Sequence, residues 1–296
     1  MTWKPPKTLG LIVGLVIILT IVGIDMFLFQ SMLQQDIGLN LYLTGVLVLG
    51  SLPLLAAVSY WYYDLTTLHY ILDRDGLIIA SGTTRYTVPM DAIERIVPGR
   101  EVQVSHGFRG ITWPGYLKGR LHARGLGRLQ IFATEPLERQ IIVVTGSMCY
   151  GISPEDPEQF IATYGDQRVM GPSCSLRQNI EPVGIAAWTI WRDRGFWLAF
   201  AGALAINLLL FGMIMGRYAG LPDRLPVEAG MQGGARIAAK NWLLLIPTIG
   251  ALALVVNALL SIVVHHRERF ASYLLIYASL GVQGVVWLAS LGILAR

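Results

Sequence analysis

Five stretches of the chain are predominantly apolar over about twenty residues or more: residues 9–30, 39–63, 196–216, 241–264 and 272–294. A bilayer core takes about 20 residues of helix to cross, so each stretch predicts a transmembrane helix. Between the second and third the pattern changes. Residues 64–165 alternate short apolar runs with the turn signals Asp75-Gly76, Ser81-Gly82 and Pro98-Gly99, which predicts antiparallel strands. Residues 90–94 predict one helical turn, residues 102–114 a long loop, and residues 116–124, 128–134 and 139–144 further strands. Ile141, Ile142, Val143 and Val144 form an unbroken β-branched run, as in a strand buried on both faces, and Gly146 and Ser147 end it as a turn would. Ser153 then predicts a helix N-cap: its hydroxyl can accept an orphan N–H, Pro154 suits the first helical position, and Glu155 and Asp156 suit the positive helix end. Phe160, Ile161 and Tyr164 would dock that helix on the sheet. The expected architecture is a five-helix membrane protein with an α+β domain, a partly open barrel closed by one helix, inserted after the second span.

Composition agrees with the spans. The 296 residues are 54% hydrophobic and only 14% charged, with a mean hydropathy of +0.54, which excludes an ordinary soluble domain. The formal net charge of +4 is too small to point to nucleic acid. Its distribution says more. Lys4 and Lys7 precede the first span, whereas the loop of residues 31–38 carries Asp36 and no Lys or Arg. The positive-inside rule then places the N-terminus and residues 64–194 at the cytoplasmic face, with the loop holding Arg267 and Arg269. The loop after the third span opposes this with Arg217, Arg224, Arg236 and Lys240, partly balanced by Asp223 and Glu228. The first apolar run is too long for a signal peptide and lacks a small-residue cleavage site. Cys149 and Cys174 have no metal-ligand spacing and read as reduced thiols. Tyr60 to Tyr63, and Trp188, Trp191 and Trp197, read as interfacial aromatic belts. Residues 166–195 form a linker, of which residues 181–194 suit a short amphipathic surface helix.

The motifs HYILDRDGLII, VPMDAIERI and YGISPEDPEQF resemble the recurring pattern of bacterial pleckstrin-homology-like (PH-like) domains, small split barrels closed by a C-terminal helix. The resemblance covers about a third of the chain and implies a fold that hosts many partners rather than one function. A second resemblance lies in LPDRLPVEAGMQGGARIAAK, similar to a segment of a bacterial membrane family that includes immunity proteins. Glu228 stands where that pattern has a His, so only the architecture is carried over.

The chemical pattern that stands out is YLKGRLHAR. Lys118, Arg120, His122 and Arg124 recur at every second residue, sharing one face of a strand, while Leu117, Leu121 and Ala123 fall on the other. Between Arg100 and Arg128 there are six Lys or Arg against the single acid Glu101. Such a row suits anionic headgroups, each cation near that surface contributing about 1 kcal/mol, or a protein partner. The plainer alternative is a solvated face paired with Glu135 or Glu138. Within the spans, Asp25, Asn207 and Asn257 are the polar exceptions: Asp25 can reach the interface, and the two Asn suit bonds across a helix bundle. His265-His266 with Glu268 lacks a metal-binding spacing, and no nucleophile with its base or phosphate-binding loop is visible. The expected function is therefore non-catalytic, with no cofactor, metal or nucleic acid. It is that of a cytoplasm-facing adaptor or accessory subunit of the cell membrane, binding membrane lipids, a membrane-protein partner or a second copy of itself. The alternative is a small transporter or immunity-type protein.

Overall fold

The computed structural model describes residues 1–174, 176–182, 184–229 and 234–294. In chain order, β1 (Thr2–Trp3) precedes helices α1 (Thr8–Gln34) and α2 (Leu39–Thr67). Nine strands follow: β2 (His69–Asp73), β3 (Gly76–Ser81), β4 (Thr84–Pro89), β5 (Ile93–Pro98), β6 (Val104–Trp113), β7 (Tyr116–Ala123), β8 (Gly127–Ala133), β9 (Ile141–Thr145) and β10 (Cys149–Ile152). Helix α3 (Pro157–Met170) and β11 (Asn179–Pro182) lead to α4 (Arg194–Tyr218), the hairpin β12 (Arg224–Ala229) and β13 (Gly234–Ala239), then α5 (Trp242–His265) and α6 (Arg269–Leu294). All of these helices except α3 are long and apolar enough to cross a membrane, five in total among the described residues. The chain forms two compact units, one of Met1–Ile24 with Ser51–Ala187 and the other of Asp25–Gly50 with the residues from Trp188 onward.

In the first unit, β1-β2-β3-β4-β11 form one antiparallel sheet and β5-β9-β10-β8-β7-β6 a second, curled sheet in which only β8 and β10 run parallel. Strand β9 lies inside this second sheet, and its alternation splits between two cores. Ile141 and Val143 join Phe132, Tyr150 and Ile152 against the first sheet and α3, while Ile142 and Val144 join Leu121, Leu129 and Ile131 on the opposite face. That is why its β-branched run has no polar positions. Trp3 on β1 packs edge-on against Phe160 of α3 at 5.6 Å, so the N-terminal strand completes the core beside the closing helix.

Several expectations need correction. Helix α3 is capped by Asp156, whose carboxylate accepts from the Gln159 N–H at 2.9 Å, with Pro157 in the first turn. Ser153 is not the cap. It is fully buried, and its hydroxyl accepts the Thr134 N–H at 2.9 Å. Phe160 and Tyr164, one helical turn apart, face the core, but Ile161 points outward and is 44% exposed. The presumed loop of residues 102–114 contains β6, and residues 181–194 form no continuous helix but the end of β11 and two short 3-10 turns. Gly10 of α1 lies against the β6–β7 turn, where a Cβ would meet the Gly115 carbonyl, whereas Gly23, Gly281 and Gly284 have open space.

In the second unit, α4, α5 and α6 close on small residues, Ala199, Ala203 and Ala258, with Leu254 and Ile276. Asn207 does bond across the bundle: its amide donates to the Pro247 carbonyl at 3.0 Å and to Gln283 Oε1 at 2.9 Å, and Gln283 donates onward to the Gly250 carbonyl. Asn257 donates to Ser279 Oγ at 3.0 Å. Asp25 is half-buried on α1. Tyr42 stacks near Phe211 and donates to the Leu208 carbonyl. Of the stretch from Leu221 to Lys240, residues 230–233 lie outside the described residues. The rest forms the β12–β13 hairpin, at whose base Lys240 pairs with Asp223 at 2.8 Å.

These contacts rank the substitutions around α3. Phe160→Ala should cost about 3 to 5 kcal/mol by opening a cavity against Trp3. Ser153→Ala should cost about 1 to 3 kcal/mol, because the buried Thr134 N–H loses its acceptor. Asp156→Ala should cost about 1 kcal/mol through the cap. Hydrogen exchange of β8 to β10 in the full chain measures all three, and a larger loss for Asp156→Ala than for Phe160→Ala would overturn the assignment.

Candidate anion-binding site

The strand β7 places Tyr116, Lys118, Arg120 and His122 on one face, as its alternation requires, with Leu121 and Ala123 in the opposite core. The row is not uniform along its length. Tyr116 and Lys118 turn toward Asp64 in the last turn of α2, a carboxylate with no solvent exposure. Asp64 accepts from Lys118 Nζ at 2.6 Å, the Tyr116 hydroxyl at 2.5 Å and Ser81 Oγ at 2.7 Å. Burial first, and then the neighbouring carboxylate, push the Tyr116 hydroxyl far above the ordinary phenol range, so it stays a donor. Lys118 is thereby neutralised by a group on another element, neither Glu135 nor Glu138. Glu135 instead faces Arg139 at 3.8 Å. Lys118 is a structural cation.

The remaining cations face outward. Arg120 is exposed and donates from Nε to Gln130 Oε1 at 2.8 Å, an acceptor that positions the guanidinium without neutralising it. Register then assembles the site. Arg109 on β6 lies opposite Arg120, which lies opposite Gln130 on β8, and His122 lies opposite Arg128. A bulge between His106 and Arg109 inserts one residue in β6, which turns Phe108 into the core beside Gly119 and leaves Arg109 next to Arg120. The result is a cavity of about 720 Å³ lined by Arg109, Arg120, His122 and Arg128 together with Phe108, Leu121, Leu129, Gln130 and Met148. Among the described residues no carboxylate lines it. Arg124 is exposed in the turn after β7, where its N–H holds the Gln103 carbonyl, and it does not line the cavity. Arg109 and Arg128 were absent from the sequence-based row because period-2 reasoning sees one strand, whereas pairing joins three.

A second polar cluster lies in the helical unit. Asp193 caps α4 by accepting from Gly195 and Phe196, and it accepts the Tyr273 hydroxyl at 2.7 Å. That last bond, more than any other group, holds its carboxyl below the usual range. His265 is buried, with Nδ1 3.1 Å from Ser272 Oγ and Nε2 3.6 Å from Asp193, too long for a hydrogen bond. Serine, histidine and aspartate thus meet, but Ser272 is 1% exposed in the first turn of α6. The cluster ties three helix ends together.

Comparison with known proteins agrees with the geometry of the first unit. Residues 68–167 match the family model of the bacterial PH domain, as the motifs implied. No curated protein and no solved structure matches the chain. The resemblance of the stretch from Leu221 to Lys240 gains no support from these comparisons. A PH-like domain carries lipid or protein binding in general.

The two roles within the cation row separate by substitution. Lys118→Gln leaves the Asp64 carboxylate buried without its cation and should cost about 3 to 5 kcal/mol. Arg124→Gln should stay within about 0.5 kcal/mol, as exposed positions do. Thermal unfolding of the full chain in detergent compares them, and equal stability of the two variants would remove Lys118 from its structural role.

Proposed function

We propose that the chain is a membrane-anchored, non-catalytic interaction module, an adaptor or accessory subunit whose PH-like domain binds an anionic ligand in the cavity of Arg109, Arg120, His122 and Arg128. The observation that carries this reading is the composition of the lining: among the described residues, four basic side chains and no acid around a space of about 720 Å³, within the 300 to 1,000 Å³ that ligand sites occupy. Five apolar helices support membrane anchoring. The pairing of β1 with β2 supports placing the chain's start and the domain on one side, and the charge asymmetry of the first hairpin supports reading that side as cytoplasmic.

Two experiments test this. Full-length chain in nanodiscs of zwitterionic lipid should bind a short-chain phosphatidic acid below its micellar concentration, and binding should fall from 0.1 to 1 M salt as the screening length shortens from about 10 Å to about 3 Å. The variant Arg109→Gln, Arg120→Gln, Arg128→Gln should lose the binding and keep its melting temperature; unchanged affinity refutes the site. For topology, a Cys174→Ser background removes the exposed native thiol. Gly38→Cys should then react with an impermeant thiol reagent in intact cells and Gly107→Cys should not, both positions having open space for a side chain. The reverse pattern would put the domain outside.

A further inference from the structure

Strand β6 ends the curled sheet, paired with β7 alone among the described residues. Its ten residues make it long for an edge, where about five or six is usual. An edge strand presents outward N–H and C=O groups that template another strand. Bulges commonly blunt such edges, but here the two register shifts, between Val104 and His106 and between His106 and Arg109, leave Arg109 to Trp113 in regular register with β7. Arg109, Gly110 and Thr112 are exposed, and the Trp113 ring, donating to the Gly10 carbonyl, marks where the open edge stops.

The anion cavity adjoins this edge, since Gly107, Phe108 and Arg109 of β6 are part of its wall. Arg109, Arg120 and Gln130 form one cross-strand row. A strand added outside β6 would extend that row by one side chain, directly beside Arg109. Charge selects its chemistry. With Arg109 on the edge strand and Arg120 and Arg128 beside it in the cavity wall, a second copy of β6 would bring like charges together, while an acidic strand would be attracted. Building on the anion-binding reading above, we propose that β6 accepts an extended acidic segment of a partner protein as an added strand, one of its carboxylates entering the Arg109, Arg120 and Arg128 cavity.

The test uses the full chain in zwitterionic nanodiscs and a fluorescent peptide of alternating Glu and Val, about twelve residues long, sized to the edge. Three comparisons accompany it: the same peptide N-methylated at every second amide, which keeps its charge but removes strand pairing; the Arg109→Gln variant; and the short-chain phosphatidic acid. Strand addition predicts binding of the parent peptide, weakened about tenfold or more by N-methylation and by Arg109→Gln. Equal binding of the methylated peptide would overturn strand addition and leave charge alone. Binding of the phosphatidic acid without the peptide would also overturn it while sustaining the anion site. Binding of neither would reject both.

Discussion

The first unit is organised around the Asp64 carboxylate. It sits in the last turn of α2, out of water, and a buried carboxylate is tolerable only when its charge and lone pairs are met. Its partners come from both sheets: Ser81 from β3, and Tyr116 and Lys118 from β7. Gly82, at φ +57°, belongs to the same arrangement, because a Cβ there would meet Asp64 Oδ1 at 2.4 Å. Lys7 at the start of α1 reinforces the junction by donating to the Thr66 carbonyl at the end of α2. Helix end and both sheets are thus joined by one charge that cannot be left alone.

Polar groups elsewhere divide by whether the fold consumes them. In the helical unit, Asn207, Gln283, Asn257 and Ser279 bond to one another or to backbone carbonyls, so they specify how α4, α5 and α6 meet. Asp193 and Tyr273 do the same at the helix ends. The guanidinium groups around the β6–β8 cavity differ. Among the described residues no acid shares that lining.

The long helices were legible because a bilayer-length apolar run needs no tertiary information, and β9 was legible because burial on both faces keeps Ile141 to Val144 free of polar residues. Strand β6 was hidden by its own bulge. The extra residue shifts the period in mid-strand, so Phe108 and Ile111 break the alternation by which a strand is recognised. The start of α3 was ambiguous because Ser153-Pro154 and Asp156-Pro157 satisfy the same local rule; the choice was made by Thr134, whose buried N–H needs the serine hydroxyl. The shared face of the cation row could be read from β7, but the division between structural Lys118 and outward Arg120 could not. It depends on Asp64, which is remote in sequence and the one charged residue of α2.

Strand β1 has only two residues, yet it bears on biosynthesis. Its partner β2 is made after both α1 and α2, so the strand waits until the intervening hairpin has brought Tyr70 and Ile71 back to Thr2 and Trp3. On the proposed topology, this return requires both helices to insert and reverse direction. A chain that inserted one of them would leave Trp3 stranded from Phe160 and the domain core short of a side. On that topology, an error of insertion would be converted into an incompletely folded domain, which would expose apolar surface that cellular quality control can recognise.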